Sequence, residues 1–170
     1  HSPYGVTKLA AEHLAHLYRK NHGLPTLSLR YFSVYGPRER PDKAIQKFLH
    51  AAHEGRGIQV YGDGTQERDF TFVGDVVAAT QRALEEPPVG ETMNIARGHT
   101  EPLSAVIDAI REATGAELPA EHTPAEAGDV RVTSAKIDRA RRLLDYDPQT
   151  DLVDGIRAQW QEVRRTYEPQ

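Results

Sequence analysis

Short apolar runs alternate with segments of helical period along most of this 170-residue chain, and that alternation restricts the fold more than any other feature. Extended runs are expected at 26–34, 58–61, 68–73 and 92–96, the first leading into a turn at Gly36-Pro37. Amphipathic patterns predict helices at 44–54, 75–84, 103–114, 134–144 and 152–167, with Gly115 closing the third of these. Gly62-Asp63-Gly64 reads as a turn, 36–42 as a loop, and 119–129 as a loop holding at most a short extended piece. Strand followed by helix, repeated, means parallel strands layered with helices, because a parallel connection needs a crossover and a helix supplies it. No internal repeat and no low-complexity tract interrupts the pattern.

A further helix is predicted at the start. Ser2 suits an N-cap and Pro3 the first helical position, since the cap oxygen accepts an orphan N–H and proline has none to lose. It runs towards Gly23 with Val6, Leu9, Ala10, Leu14 and Leu17 as its apolar stripe. Tyr4 and Lys8 then stand at i and i+4 on another face, with Cβ atoms about 6 Å apart. A phenol titrates near 10, so base action near neutrality needs about 4 kcal/mol of help. One ammonium about 6 Å away, at an effective dielectric of about 20, supplies about 2.8 kcal/mol, and a second positive charge has to supply the rest. By itself the spacing decides nothing: about 0.2 such Tyr/Lys pairs arise by chance at this composition, and a surface pair would carry no chemistry.

Charge and composition exclude several classes of function. A net charge of −4 with interspersed signs leaves no basic footprint for nucleic acid. The longest apolar runs fall far short of a membrane span. The absence of cysteine excludes disulfides and thiolate chemistry and fits a reducing compartment, so a cytoplasmic location is expected. The His13/His16 and His50/His53 pairs lack a third ligand nearby in sequence and fall on polar helix faces, so no metal site is expected.

Three segments in order carry a resemblance: S-P-Y-G-V-T-K at 2–8, L-R-Y-F-S-V-Y-G-P-R at 29–38, and Y-G-D-G-T-Q-E-R-D-F-T-F-V-G-D at 61–75. Together they resemble the extended short-chain dehydrogenase/reductase family, most closely its UDP-glucose 4-epimerase branch, over nearly the whole chain but only the family's C-terminal half. The resemblance implies the C-terminal portion of a Rossmann-like parallel sheet plus a small α/β nucleotide-sugar-binding domain. Residues 1–36 and 68–98 would belong to the NAD-binding domain, and 37–67 and 99–170 to the substrate domain. It implies NAD as cofactor, a UDP-sugar as substrate and a homodimer. The implied reaction is epimerisation of UDP-glucose and UDP-galactose by transient oxidation at C4 and return of the hydride. A 4,6-dehydratase or decarboxylase of the same family remains an alternative.

The same resemblance assigns roles. Tyr4 would take the sugar hydroxyl's proton while the ring hydrogen leaves as hydride, and Lys8 would assist it and bind the nicotinamide ribose. Tyr31 and Val34 would lie near the nicotinamide. Ser33 stands where the family usually has an asparagine that contacts the diphosphate, so a shorter hydroxyl replaces an amide donor. Arg68 would clamp the diphosphate with its planar fork of donors. Asp129 matches the ribose-binding carboxylate, and Arg131 would help with phosphate, the more so because Glu126 stands where many relatives carry an arginine. Val60 and Tyr61 fall where relatives pack the uracil. Tyr31 also reads as a core aromatic and Val60 as a core strand residue, and both alternatives stand at this point.

No G-x-G-x-x-G follows a strand: Gly55 and Gly57 precede one, while Gly62 and Gly64 form a turn after one. With His1 as its first residue, the chain reads as the C-terminal half of a longer enzyme. Were it the whole polypeptide, a non-catalytic nucleotide-binding module is expected instead.

Overall fold

The computed structural model describes residues 3–125 and 130–167. Helix α1 (Pro3–His22) leads into strand β1 (Ser28–Tyr31), which pairs in parallel with β6 (Thr92–Ile95), Ser28 opposite Thr92 and Tyr31 opposite Ile95. Strand β2 (Val34–Tyr35) runs parallel to β5 (Thr71–Phe72), and β3 (Ile58–Tyr61) parallel to β8 (Ala120–Thr123). Strand β4 (Glu67–Arg68) lies between β7 (Glu101–Pro102), antiparallel, and β9 (Val132–Thr133), parallel. Helices α2 (Ala44–His53), α3 (Val73–Glu85), α4 (Leu103–Thr114), α5 (Asp138–Leu144) and α6 (Leu152–Tyr167) complete an α/β fold in which parallel pairing dominates.

Two of the expected strands are interrupted, each for a local reason. The 26–34 run breaks at Phe32-Ser33, where Ser33 has a φ of 29° and the chain changes partner from β6 to β5. The 68–73 run breaks at Asp69-Phe70, where Asp69 turns a carboxylate inward to cap other backbone. Helix α5 starts at 138 rather than 134, and the 119–129 loop contains β8. Gly115 closes α4 as expected, in the left-handed region at φ 73°, its N–H donating to the Arg111 carbonyl at 2.8 Å.

Two apolar clusters hold the layers. The first joins α2, α4 and α6 to β3 and β2, around Leu49, Val60, Val106, Ile110 and Ile156. The second joins α3 and α5 to β1 and β6, around Val76, Ala79, Met93, Ile95 and Ala140. Residues 137–146 thus pack with the β1/β6 layer, although in sequence they follow the segments that build the other one. In α6, Gly155 meets the end of buried Tyr35: an added Cβ would lie 2.2 Å from Tyr35 Oη and 2.9 Å from a Phe72 ring carbon. Gly155→Ala should therefore destabilise the protein by about 1–3 kcal/mol despite alanine's better helix propensity. A chemical melt that left stability unchanged or raised would show that Tyr35 can move aside.

Helix α1 buries no residue, and Val6, Leu9, Leu14 and Leu17 are all about half exposed or more. Its ties to the remainder are polar: Glu12 to Arg30, and the Thr26 hydroxyl to the Ala15 carbonyl at 3.1 Å. No described helix is long and apolar enough to cross a membrane, and the described residues hold no cluster of three metal-ligating side chains.

Candidate functional site

The N-terminal face of α1 and the edge of β1 enclose a groove of about 560 Å³ lined by Tyr4, Lys8, Glu12, Arg30 and Tyr31 among others. Tyr4 is 70% exposed, with the Lys8 ammonium 5.5 Å from its ring centroid. Tyr31 is half exposed, and its hydroxyl shares a 3.0 Å hydrogen bond with Thr80 of α3. The helix register that the sequence predicted thus brings Tyr4, Lys8 and Tyr31 to one groove. An exposed phenol with an ammonium against its ring is a group placed to exchange a proton with a bound hydroxyl. Tyr35 cannot do this: burial pushes its phenol well above the ordinary value, and its hydroxyl points to the Leu152 carbonyl.

Val34 faces a second groove, about 370 Å³, with Tyr35, Gly36, Arg38, Arg40 and Lys43 around it. Ser33 lies exposed at the break between the two strands, its carbonyl accepting from Thr71 N–H at 3.2 Å. Here Glu39 accepts from Gln159 Nε2 at 2.8 Å; Gln159 is wholly buried and also donates to Gln46 at 2.6 Å. Burial is the main reason that the Glu39 carboxyl is held above the usual carboxylate range. The native state therefore keeps this proton longer than the unfolded chain does. Its contribution to stability is full at acid pH and is lost as pH rises from the ordinary carboxylate value through the raised one. Glu39→Gln removes that component, so its melting temperature should fall less than the wild type's between pH 4 and pH 7. Parallel curves for the two proteins would refute this account of Glu39.

Arg68 and Arg131 come together on the β7–β4–β9 sheet. Arg68 Nη1 donates to the Glu67 carbonyl at 2.8 Å and reaches the Arg131 carbonyl at 3.4 Å. Arg131 is exposed and helps hold the Asp63 carboxyl low, although hydrogen bonds from Thr65 do most of that. Tyr61 is about half exposed at the end of β3, whereas Val60 is wholly enclosed in the first cluster. The Val60 side chain is core and offers a ligand no surface in this structure. Asp129, with Glu126, lies outside the described residues.

Sequence reasoning passed over Asp69, which is fully buried. Its two oxygens accept the N–H groups of Arg97 at 2.8 Å and Gly98 at 3.0 Å, fastening the loop after β6 to the β4–β5 junction. Burial pushes its carboxyl up, against the pull of those donors. Period-two alternation held the signal: with Arg68 turned to one face, Asp69 must turn to the other.

The model of the NAD dependent epimerase/dehydratase family matches residues 1–96, more than half of the chain. The chain belongs to this family. Among curated relatives of this chain, the uncharacterized UDP-glucose epimerase YtcB of Bacillus subtilis is 39% identical over 156 residues, 91% of this chain and 49% of that protein. The UDP-glucuronate 4-epimerase of Thermodesulfobacterium geofontis is 36% identical, over 92% of this chain and 48% of its own length. The fold superposes on the Bacillus cereus UDP-glucuronic acid 4-epimerase, solved with UDP-glucuronic acid and NAD, with a TM-score of 0.91 at 38% identity, covering 98% of this chain and 54% of that one. On the Thermotoga maritima UDP-glucose 4-epimerase, solved with UDP-glucose, the score is 0.94 at 30% identity, covering 99% and 55%. The chain spans about half the length of the relatives it matches.

Proposed function

We propose that this chain supplies the proton-transfer and sugar-nucleotide half of an NAD-dependent 4-epimerase that interconverts UDP-glucose and UDP-galactose. The observation that carries this reading is the meeting of Tyr4, Lys8 and Tyr31 in one groove at the end of a parallel strand. An exposed phenol beside an ammonium, with half-exposed Tyr31 lining the same groove, fits a nicotinamide and its ribose. Bound NAD would accept the C4 hydride and give it back. Tyr4 Oη accepts the proton of the C4 hydroxyl as the sugar is oxidised and returns it after the keto-sugar has turned over. Lys8 stabilises the phenolate and hydrogen-bonds the ribose. In this reading Arg68, Arg131 and Ser33 bind the diphosphate, Tyr61 and Asp129 the nucleoside, and Val34 the nicotinamide. A homodimer belongs to the same reading, since the exposed α1 stripe suits burial against further protein.

UDP-glucuronate is a second reading, favoured by Arg38 and Lys43 at the second groove, where Arg40 is already paired with Asp42 at 2.7 Å and Glu39 shares the lining. An uronate carboxylate is what such a pair of cations attracts. The test is to incubate the natural polypeptide carrying this chain, with NAD, on each sugar nucleotide and resolve the products by NMR. Galacto-configured UDP-hexose is the expected product. Turnover confined to UDP-glucuronate selects the second reading, and a 4-keto-6-deoxy or decarboxylated product overturns both.

A further inference from the structure

Tyr4, Lys8 and Glu12 stand at successive i,i+4 positions on α1, and all three line the groove that Arg30 enters from β1. Lysine and glutamate at this spacing ordinarily attract each other. Here both oxygens of Glu12 are engaged elsewhere: Arg30 Nε donates to Oε1 at 2.7 Å and Nη2 to Oε2 at 2.6 Å. Lys8 lies instead toward the Tyr4 ring, 5.5 Å from its centroid. We propose that Arg30 is a positioning residue for the proton transfer: by occupying Glu12 with both arms of its guanidinium it leaves the Lys8 ammonium to Tyr4. The inference rests on the reading of Tyr4 as the base.

The fork geometry matters more than the attraction. The Arg30 side chain is about half exposed, so the pair adds little to stability, whereas a planar bidentate contact fixes position. The Arg30 hydrogen bond is also the main reason that the Glu12 carboxyl sits below the usual carboxylate range, with His13 a minor contributor. The charged and titratable groups facing this site are Tyr4, Lys8, Glu12 and His13 from α1 and Arg30 and Tyr31 from β1, while on its other side Arg30 borders a groove with Lys136, Asp138, Arg139 and Arg142. Arg30 is the one cation among them that holds Glu12 directly, so losing it frees a carboxylate one helical turn from Lys8.

The experiment records turnover against pH, with saturating NAD and UDP-glucose, for the natural polypeptide and its Arg30→Gln, Arg30→Gln/Glu12→Gln and Tyr4→Phe variants. Arg30→Gln should move the ascending limb of the profile upward by about half to one pH unit, since the ammonium is drawn toward Glu12 and away from the phenol. The double variant should bring the limb back, because a neutral glutamine at 12 no longer competes. KM for the sugar nucleotide should stay within about twofold throughout. An unmoved limb in Arg30→Gln overturns the proposal, as does equal displacement in the single and double variants. Should Arg30→Gln fail to fold, Arg30→Lys serves: it can engage only one Glu12 oxygen, so a smaller upward displacement is expected and none overturns the proposal. Turnover that survives Tyr4→Phe strikes the proposed function itself; a dead Tyr4→Phe with an unmoved limb strikes only Arg30.

Discussion

Tyr4→Phe should lower turnover by about 10²–10⁴ while leaving the fold as it is, because the change removes only the oxygen proposed to move the proton. The structure supports the second half of that expectation. The Tyr4 ring is largely exposed and buries nothing in either apolar cluster, so its hydroxyl has no packing role to lose. The melting temperature should therefore stay within experimental error. Turnover and a melt on the same preparation check both halves together. Wild-type turnover in a folded Tyr4→Phe protein would remove Tyr4 from the mechanism, and a collapsed melting temperature would mean that the residue is structural after all.

Arg68→Ala should weaken binding of the UDP-sugar by about 2–4 kcal/mol, the size expected when a charge-assisted, two-armed contact to phosphate is lost. The arginine sits on the middle strand of a three-stranded sheet, with its guanidinium lying along the backbone towards Arg131. Asp69, directly after it, is locked by two backbone N–H groups, so Arg68 projects from one of the more rigid points of the chain. NAD affinity should hardly change, because the residues proposed to hold it lie elsewhere, Tyr4 and Lys8 on α1 and Tyr31 on β1. Calorimetry with each ligand separates the outcomes: NAD binding lost with UDP binding kept would place Arg68 at the cofactor instead.

Most elements were legible in the sequence because period and punctuation agreed. Val6 to Leu17 repeats at helical spacing, Ile58 to Tyr61 alternates, and Gly115 marks a stop that the backbone obeys. What could not be read was long-range. The burial of Val60 depends on α4 and β8 arriving from more than forty residues later, and its two readings were indistinguishable locally. The division of 99–170 as one block missed that α5 packs on the β1/β6 layer, since nothing in an amphipathic repeat says which layer it will cover. The Glu12–Arg30 pair joins residues eighteen apart that carry no joint signature until β1 lies beside α1.

The break at Ser33 has a bearing on how its side chain should be interpreted. At that point the chain leaves one parallel partner and takes up another, and it does so through a left-handed backbone angle. Only glycine, and to a lesser degree asparagine and aspartate, adopts that angle readily; β-branched residues resist it. Geometry alone therefore favours glycine, asparagine or aspartate at this position before any diphosphate is considered. An amide there would suit the backbone as well as a ligand, whereas Ser33 holds the angle without belonging to the residues that favour it, so its hydroxyl has to be explained by something other than the turn.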